Sequence, residues 1–146
     1  MSNQLLFDAE AREKLLSGAE KLGRAVATTL GPKGQNVLLY MKGQSPVITK
    51  DGVSVARVVT LNDPLEQAGV DIVRQAAIET NNVAGDGTTT ATVLACEILN
   101  KAKSYITSGT SPLDLKRGLD SGLKTVLEKI DQMSEPIKDE EDIKHV

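Results

Sequence analysis

The sequence predicts a mainly α-helical fold with one small β element. Three observations lead there: four stretches whose apolar residues recur every three or four positions, one pair of short strand-type runs after the first stretch, and glycine–proline punctuation between the pieces. With 146 residues, 40% hydrophobic and 25% charged, the chain has the composition and size of one folded unit with room for a core. Aromatic residues make up only 2%, so that core is expected to be aliphatic.

The first helix is read from Leu15, Ala19, Leu22, Val26, Thr29 and Leu30, one stripe at helical spacing, with Asp8 as its cap. Gly31-Pro32 stops it, because proline cannot extend the hydrogen-bond ladder, and Gly31-Pro32-Lys33-Gly34 reads as a turn. Asn36 to Met41 and Pro46 to Thr49 are strand-type runs on either side of a loop carrying Gly43. For Asp51-Gly52 two local readings stand open: a hairpin turn between Val47–Thr49 and Val53–Val55, or a cap at Asp51 opening a short helix through Arg57. Asp63-Pro64 opens the second long helix, with Leu65, Gly69, Ile72, Ala76 and Val83 near one face. Gly85-Asp86-Gly87 breaks it. The third helix starts at Thr88–Thr90 and carries Leu94, Ile98, Ala102 and Tyr105, and the fourth follows Ser111-Pro112 with Leu115, Leu119, Gly122, Val126, Ile130 and Met133. Ser134-Glu135-Pro136 ends it, and an acidic helix start spans Asp139 to Asp142.

Composition excludes several functions. A net charge of −3 and only Phe7, Tyr40 and Tyr105 as aromatics give neither the basic footprint nor the stacking faces of a nucleic-acid binder. The longest apolar run, Val37 to Met41, is far short of the roughly 20 residues needed to span a membrane, so no membrane partner is expected. One cysteine, Cys96, permits no internal disulfide, and one histidine, His145, no histidine-rich metal site. The start, Met1-Ser2-Asn3-Gln4, lacks signal-peptide character, and a reducing, cytoplasmic location is expected.

The richest chemistry lies in Gly85-Asp86-Gly87-Thr88-Thr89-Thr90-Ala91-Thr92. Glycines let backbone approach a ligand, and threonines at a helix start present free N–H groups to an anion. A carboxylate in such a loop repels bare phosphate but suits a bridging divalent cation, since Mg²⁺ commonly takes one or two carboxylates plus phosphates. A simple capped glycine turn is the competing reading. Thr29-Leu30-Gly31-Pro32-Lys33-Gly34 lacks the spacing of a P-loop, which occurs nowhere in the chain, and read alone it is a helix-stop turn. Asp51, in Thr49-Lys50-Asp51-Gly52, could orient water for attack on a phosphoryl group, or simply sit in a turn. Cys96 reads as a packed cysteine, Lys116-Arg117 and Lys101/Lys103 as helix-surface charge, and His145 as solvated.

Taken in order, Thr29–Val37, Ile48–Arg57, Ala84–Ala95 and Ser111-Pro112-Leu113-Asp114-Leu115-Lys116-Arg117-Gly118 resemble the amino-terminal part of the group I chaperonins, the GroEL-like family. The resemblance runs from about Phe7 to the end. It implies a multihelical half of an equatorial, ATP-binding domain over 1–134 and the start of an intermediate hinge domain over 135–146. It implies an ATP hydrolase whose turnover drives folding of non-native proteins. It also implies ATP, Mg²⁺ and K⁺ as cofactors. The expected partners are identical subunits in a ring (a double heptamer at full length), non-native client proteins and a co-chaperonin.

Carried onto this sequence, the resemblance places Thr29, Leu30, Gly31, Pro32, Lys50, Asp51 and Gly52 at the nucleotide, with Asp86, Gly87, Thr88, Thr89 and Thr90. Asp86 would bind Mg²⁺. Thr29 and Lys50 would offer backbone oxygens, and Thr89 its hydroxyl, to K⁺. Asp51 would be the catalytic residue that positions water, which favours the helix-cap reading over the hairpin. Because the family's chains are several times longer, the resemblance also implies a fragment or truncated reading frame of a longer subunit. A non-catalytic assembly module or inactive fragment is the alternative function.

Overall fold

The structure, a computed structural model, describes residues 8–41, 43, 45–138 and 140–144. It contains α1 (Asp8–Ala27), β1 (Val37–Leu39), β2 (Val47–Thr49), α2 (Gly52–Val58), α3 (Pro64–Ala84), α4 (Thr88–Thr107), α5 (Pro112–Met133) and α6 (Glu140–Ile143). The chain divides into two compact units, Met1–Lys101 and Ala102–Val146.

In the first unit α1 lies along α3, and α2 packs on both. The core is aliphatic, as composition required: Ala19, Leu22 and Val26 from α1, Val53, Val55 and Ala56 from α2, Val70, Val73 and Ala77 from α3, with Leu39 of β1 and Cys96 of α4. Burying a Val or Leu side chain contributes about 1.5–3 kcal/mol, so this cluster supplies most of the drive to fold. The α1–α3 contact is unusually close at Gly69, where a Cβ would fall 1.9 Å from the Leu15 carbonyl oxygen. At the rim, Lys14 reaches Asp63 at 2.6 Å, and Glu66 accepts from Ser17 at 2.9 Å and Lys21 at 2.5 Å. Such partly exposed pairs contribute little energetically.

The predicted caps are present. Asp63 accepts from the amides of Leu65 and Glu66 with Pro64 behind it, and Ser111 accepts from the Leu113 amide with Pro112 following. The expected cap at Asp8 depends on a side chain outside the described residues, as do Asp139 and His145. Strands β1 and β2 pair antiparallel, Val37 opposite Thr49, Leu38 opposite Ile48 and Leu39 opposite Val47. Leu39 turns into the core while Leu38 and Ile48 face out, the alternation a pleat imposes.

Four expectations are corrected. The stripe of α1 extends to Leu30 in sequence, but the helix ends at Ala27. Thr29 and Leu30 donate their amides to the carbonyls three residues back, Val26 and Ala27, which tightens the last turn and leaves Leu30 exposed. The buried face of α3 is Gly69, Val70, Val73 and Ala77, whereas Ile72 and Val83 are exposed. This face wins because Gly69 within it lets the α1 backbone approach so closely. On α4 the buried residues are Thr88, Thr92 and Cys96 and not Leu94, Ile98 and Tyr105. Thr92 is buried at no hydrogen-bonding cost, since its hydroxyl donates to the Thr88 carbonyl at 2.8 Å. Finally, the stripe of α5 forms, but none of its residues is buried. An amphipathic pattern makes a helix side-specific; burial needs a partner.

The open question at Asp51 is decided for the cap. Its carboxylate accepts from the amides of Val53 and Ser54, and Gly52–Val58 is helical, so the Asp-Gly hairpin reading is overturned. Arg74 of α3 holds the far end of α2, donating to the carbonyls of Ala56 at 2.8 Å and Val59 at 2.5 Å. Both ends of this seven-residue helix are thus tied down.

Candidate functional site

Three loops separated in sequence meet at one place. The first is the end of α1. Here the Thr29 hydroxyl donates to the Val26 carbonyl at 2.8 Å, and the Gln35 amide returns to the Thr28 carbonyl at 2.7 Å. This folds Gly31-Pro32-Lys33-Gly34 into a tight exposed turn. The second is the entry to α2, where the Asp51 amide donates to Thr49 Oγ1 at 3.0 Å and Asp51 caps the helix. The third is the α3–α4 turn. Gly85 ends α3 in the left-handed conformation, φ +71°, its amide donating to the Asn81 carbonyl, and α4 starts at Thr88.

Their meeting point is Thr89. Its Oγ1 lies 3.3 Å from Thr29 Oγ1. It also presses on Gly52, where a Cβ would fall 2.2 Å from Oγ1, so only glycine fits. The Thr29 hydroxyl hydrogen is committed to the Val26 carbonyl, so in the Thr29–Thr89 contact Thr89 is the donor. Both hydrogens are then used, and the remaining lone pairs of the two oxygens can only accept, the chemistry a cation requires.

Two helix starts adjoin here but differ in what they offer. In α2 the Asp51 side chain already fills the amides of Val53 and Ser54. In α4 the first amide with a helical acceptor is that of Ala91, which donates to the Gly87 carbonyl at 2.9 Å. The amides of Thr88, Thr89 and Thr90 therefore have no intrahelical partner, and the positive end of a 20-residue helix stands behind them. Anion-binding capacity rests with α4. Asp86 is exposed beside it, with Oδ1 accepting from the Gly87 amide at 2.6 Å. Among the described residues no cluster of three or more His, Cys, Asp or Glu could hold a metal. The carboxylate of Asp86 therefore suits Mg²⁺ that carries phosphates and waters, which takes one or two carboxylates, better than an all-protein cage.

For Asp51, partial burial pushes the carboxyl upward, but the Ser54 hydroxyl, the amides of Ser54 and Val53, and Arg57 together hold it below the usual range. Asp51 is thereby kept charged. Ser54 is the residue that sequence reasoning missed: its hydroxyl donates to Asp51 Oδ2 at 2.5 Å. A polar residue three positions after a capping aspartate is the signal that could have revealed it.

The predicted residues fall into two groups. Thr89 touches both Thr29 and Gly52, with Lys50 and Asp51 adjoining along the chain and Thr88 buried behind. Leu30, Gly31, Pro32, Asp86, Gly87 and Thr90 lie exposed on the chain next to them. Cys96 is buried, its thiol donating to the Ala19 carbonyl at 3.2 Å, and burial above all, then Glu97, pushes the thiol's pKa up. It packs; it is no activated nucleophile. A separate cleft of about 320 Å³ runs between α1 and α4, with Gly23, Val93 and Cys96 in its lining, and contains none of the predicted site residues. Lys116 and Arg117 pair with Asp120 and Asp114 on the surface of α5, as read.

The sequence belongs to a known group. Residues 22–146 match the family described as the TCP-1/cpn60 chaperonin family, and the chain belongs to that family. It is 47% identical over 146 residues to the chaperonin GroEL of Mycoplasmoides gallisepticum and 43% identical to that of Mycoplasma pneumoniae. The whole chain is covered in both cases, but only 27% of each relative, so the chain spans about a quarter of the length of the curated relatives it matches.

Proposed function

We propose that this chain is the amino-terminal part of a chaperonin subunit that binds and hydrolyses Mg-ATP to drive folding of non-native proteins inside a ring. Residues 1–134 are the first half of the ATP-binding equatorial domain, and 135–146 begin the intermediate hinge domain. The observation that carries the reading is the junction of Thr29, Gly52 and Thr89, which sets the free amides of α4 beside a charged aspartate and two cation-suited hydroxyl oxygens.

The amides of Thr88–Thr90, with Gly87, cradle the phosphates. Thr29, Leu30, Gly31, Pro32, Lys50 and Gly52 line the nucleotide from the facing loops. Asp86 holds Mg²⁺, which when bound offsets phosphate charge, and the Thr29 and Lys50 carbonyls with the Thr89 hydroxyl hold K⁺. Asp51, kept ionised, accepts from a water and aims it at the terminal phosphoryl group. Little covalent work falls to the protein in such transfers, so positioning dominates. Identical subunits in a ring of double-heptamer type, client proteins, a co-chaperonin and a cytoplasmic setting complete the proposal. Among the described residues no helix is long and apolar enough to cross a membrane.

Steady-state ATP turnover of the full-length assembly carrying Asp51→Ala tests this reading. Turnover should fall at least tenfold, with Mg-ATP binding retained. Unchanged turnover removes Asp51 from the chemistry.

A further inference from the structure

We infer that Ser54 is a positioning residue for this hydrolysis: its hydroxyl occupies one oxygen of the Asp51 carboxylate and leaves the other oxygen as the acceptor that aims the water. The inference rests on the role proposed above for Asp51.

A carboxylate offers about four acceptor positions, two on each oxygen. At Asp51 three are filled. Oδ2 accepts from the Ser54 hydroxyl at 2.5 Å and from the Ser54 amide at 3.0 Å, so it is saturated. Among the described residues Oδ1 accepts only from the Val53 amide, at 3.2 Å, the longest of the three. One position therefore remains, on Oδ1. The two amides are held by the backbone of α2, whose ladder starts with the Val55 amide donating to the Asp51 carbonyl at 3.1 Å. The hydroxyl is the one donor of the three that a side-chain change can remove.

Helix capping does not by itself call for that hydroxyl. Asp63 caps the 21-residue α3 with Oδ1 alone, accepting from two amides, while its Oδ2 goes to Lys14. At Asp51 the two amides are divided between the oxygens and the hydroxyl is added. The effect is to reduce a carboxylate that could hold water in several orientations to one that can hold it in a single orientation. Ser54 is half-buried in the first turn of α2, two residues from the Gly52–Thr89 contact, so this selection is made at the edge of the cluster itself. Without the hydroxyl, open acceptor positions exist on both oxygens, water divides between them, and alignment with the phosphoryl group is diluted.

The test compares Ser54→Ala and Ser54→Thr with Asp51→Ala in the full-length assembly, reading kcat, KM for Mg-ATP and amide hydrogen exchange along α2. Ser54→Ala should lower kcat about tenfold, since small misplacements of a reacting group cost one to two orders of magnitude. KM should stay within about twofold, and exchange at Val55 and Ala56 should be unchanged. Ser54→Thr, which keeps a hydroxyl, should restore kcat to within about threefold. The inference is overturned if Ser54→Ala keeps its kcat while Asp51→Ala loses turnover. It is equally overturned if threonine fails to rescue, or if lost turnover comes with faster exchange through α2, which assigns Ser54 to capping alone. If Asp51→Ala itself has no effect, the reading of Asp51 fails first.

Discussion

Gly52→Ala measures how tightly the α2 and α4 starts are joined. The added Cβ would lie 2.2 Å from Thr89 Oγ1 and 3.1 Å from its Cα and Cβ, against an ordinary contact of 3.4 Å or more. The hydroxyl must therefore retreat by about 1.2 Å. Rotation of the Thr89 side chain provides this, but it abandons the 3.3 Å contact with Thr29, a loss of about 0.5–1.5 kcal/mol. The remaining 3.1 Å contacts add overpacking at the low end of the usual 1–3 kcal/mol. Alanine's helix preference over glycine returns up to about 1 kcal/mol. The expected net loss is about 1–2 kcal/mol. Because Oγ1 is the nearest obstacle, Gly52→Ala should be nearly free of cost in a Thr89→Ala background, a coupling of about 1–2 kcal/mol. Urea unfolding followed by circular dichroism on the parent, both single variants and the double variant gives the cycle directly. Equal cost of Gly52→Ala in both backgrounds would refute the argument.

Gly69→Ala faces a harder obstacle, the backbone carbonyl of Leu15 at 1.9 Å, which no side-chain rotation relieves. It should destabilise by about 2–3 kcal/mol, whereas Gly118→Ala on α5, with nothing within 4 Å, should stabilise by about 0.5–1 kcal/mol; the same sign for both in urea unfolding would contradict the close α1–α3 contact. Asp63 is held below the usual carboxyl range first by its hydrogen bond from Lys14, then by the Leu65 and Glu66 amides. A depressed folded value means that its stabilisation is complete above the unfolded value near 4 and is lost as pH falls through the folded value. Asp63→Asn, which keeps a capping acceptor, should flatten the acid limb of stability against pH; an unaltered limb would remove Asp63 as its source.

Much of the local structure is legible in the chain because its signals act over a few residues. Asp63-Pro64 and Ser111-Pro112 satisfy or dispense with the first amides of a helix, and Gly85 stops one, wherever the rest of the molecule lies. The aliphatic core follows from composition, since three aromatic residues cannot build any other. The chemistry of Gly85–Thr92 is readable for the same reason: the free amides belong to the helix start itself.

Tertiary structure decided what depends on distant neighbours. Periodicity marks several faces of α3 and α4 as apolar, and only the approach of α1 at Gly69 selects Val70, Val73 and Ala77 over Ile72 and Val83. Asp51-Gly52 satisfies hairpin and cap rules alike. The cap forms where Arg74, far along the chain, holds the other end of α2 and Val53, Val55 and Ala56 enter the core. Nothing local announces that Thr89 meets Thr29 and Gly52, or that Ser54 completes Asp51. Composition and spacing determined the helices, most of their ends and the aliphatic character of the core; contact between segments about forty to sixty residues apart, where a missing Cβ leaves room for a hydroxyl, made them a site.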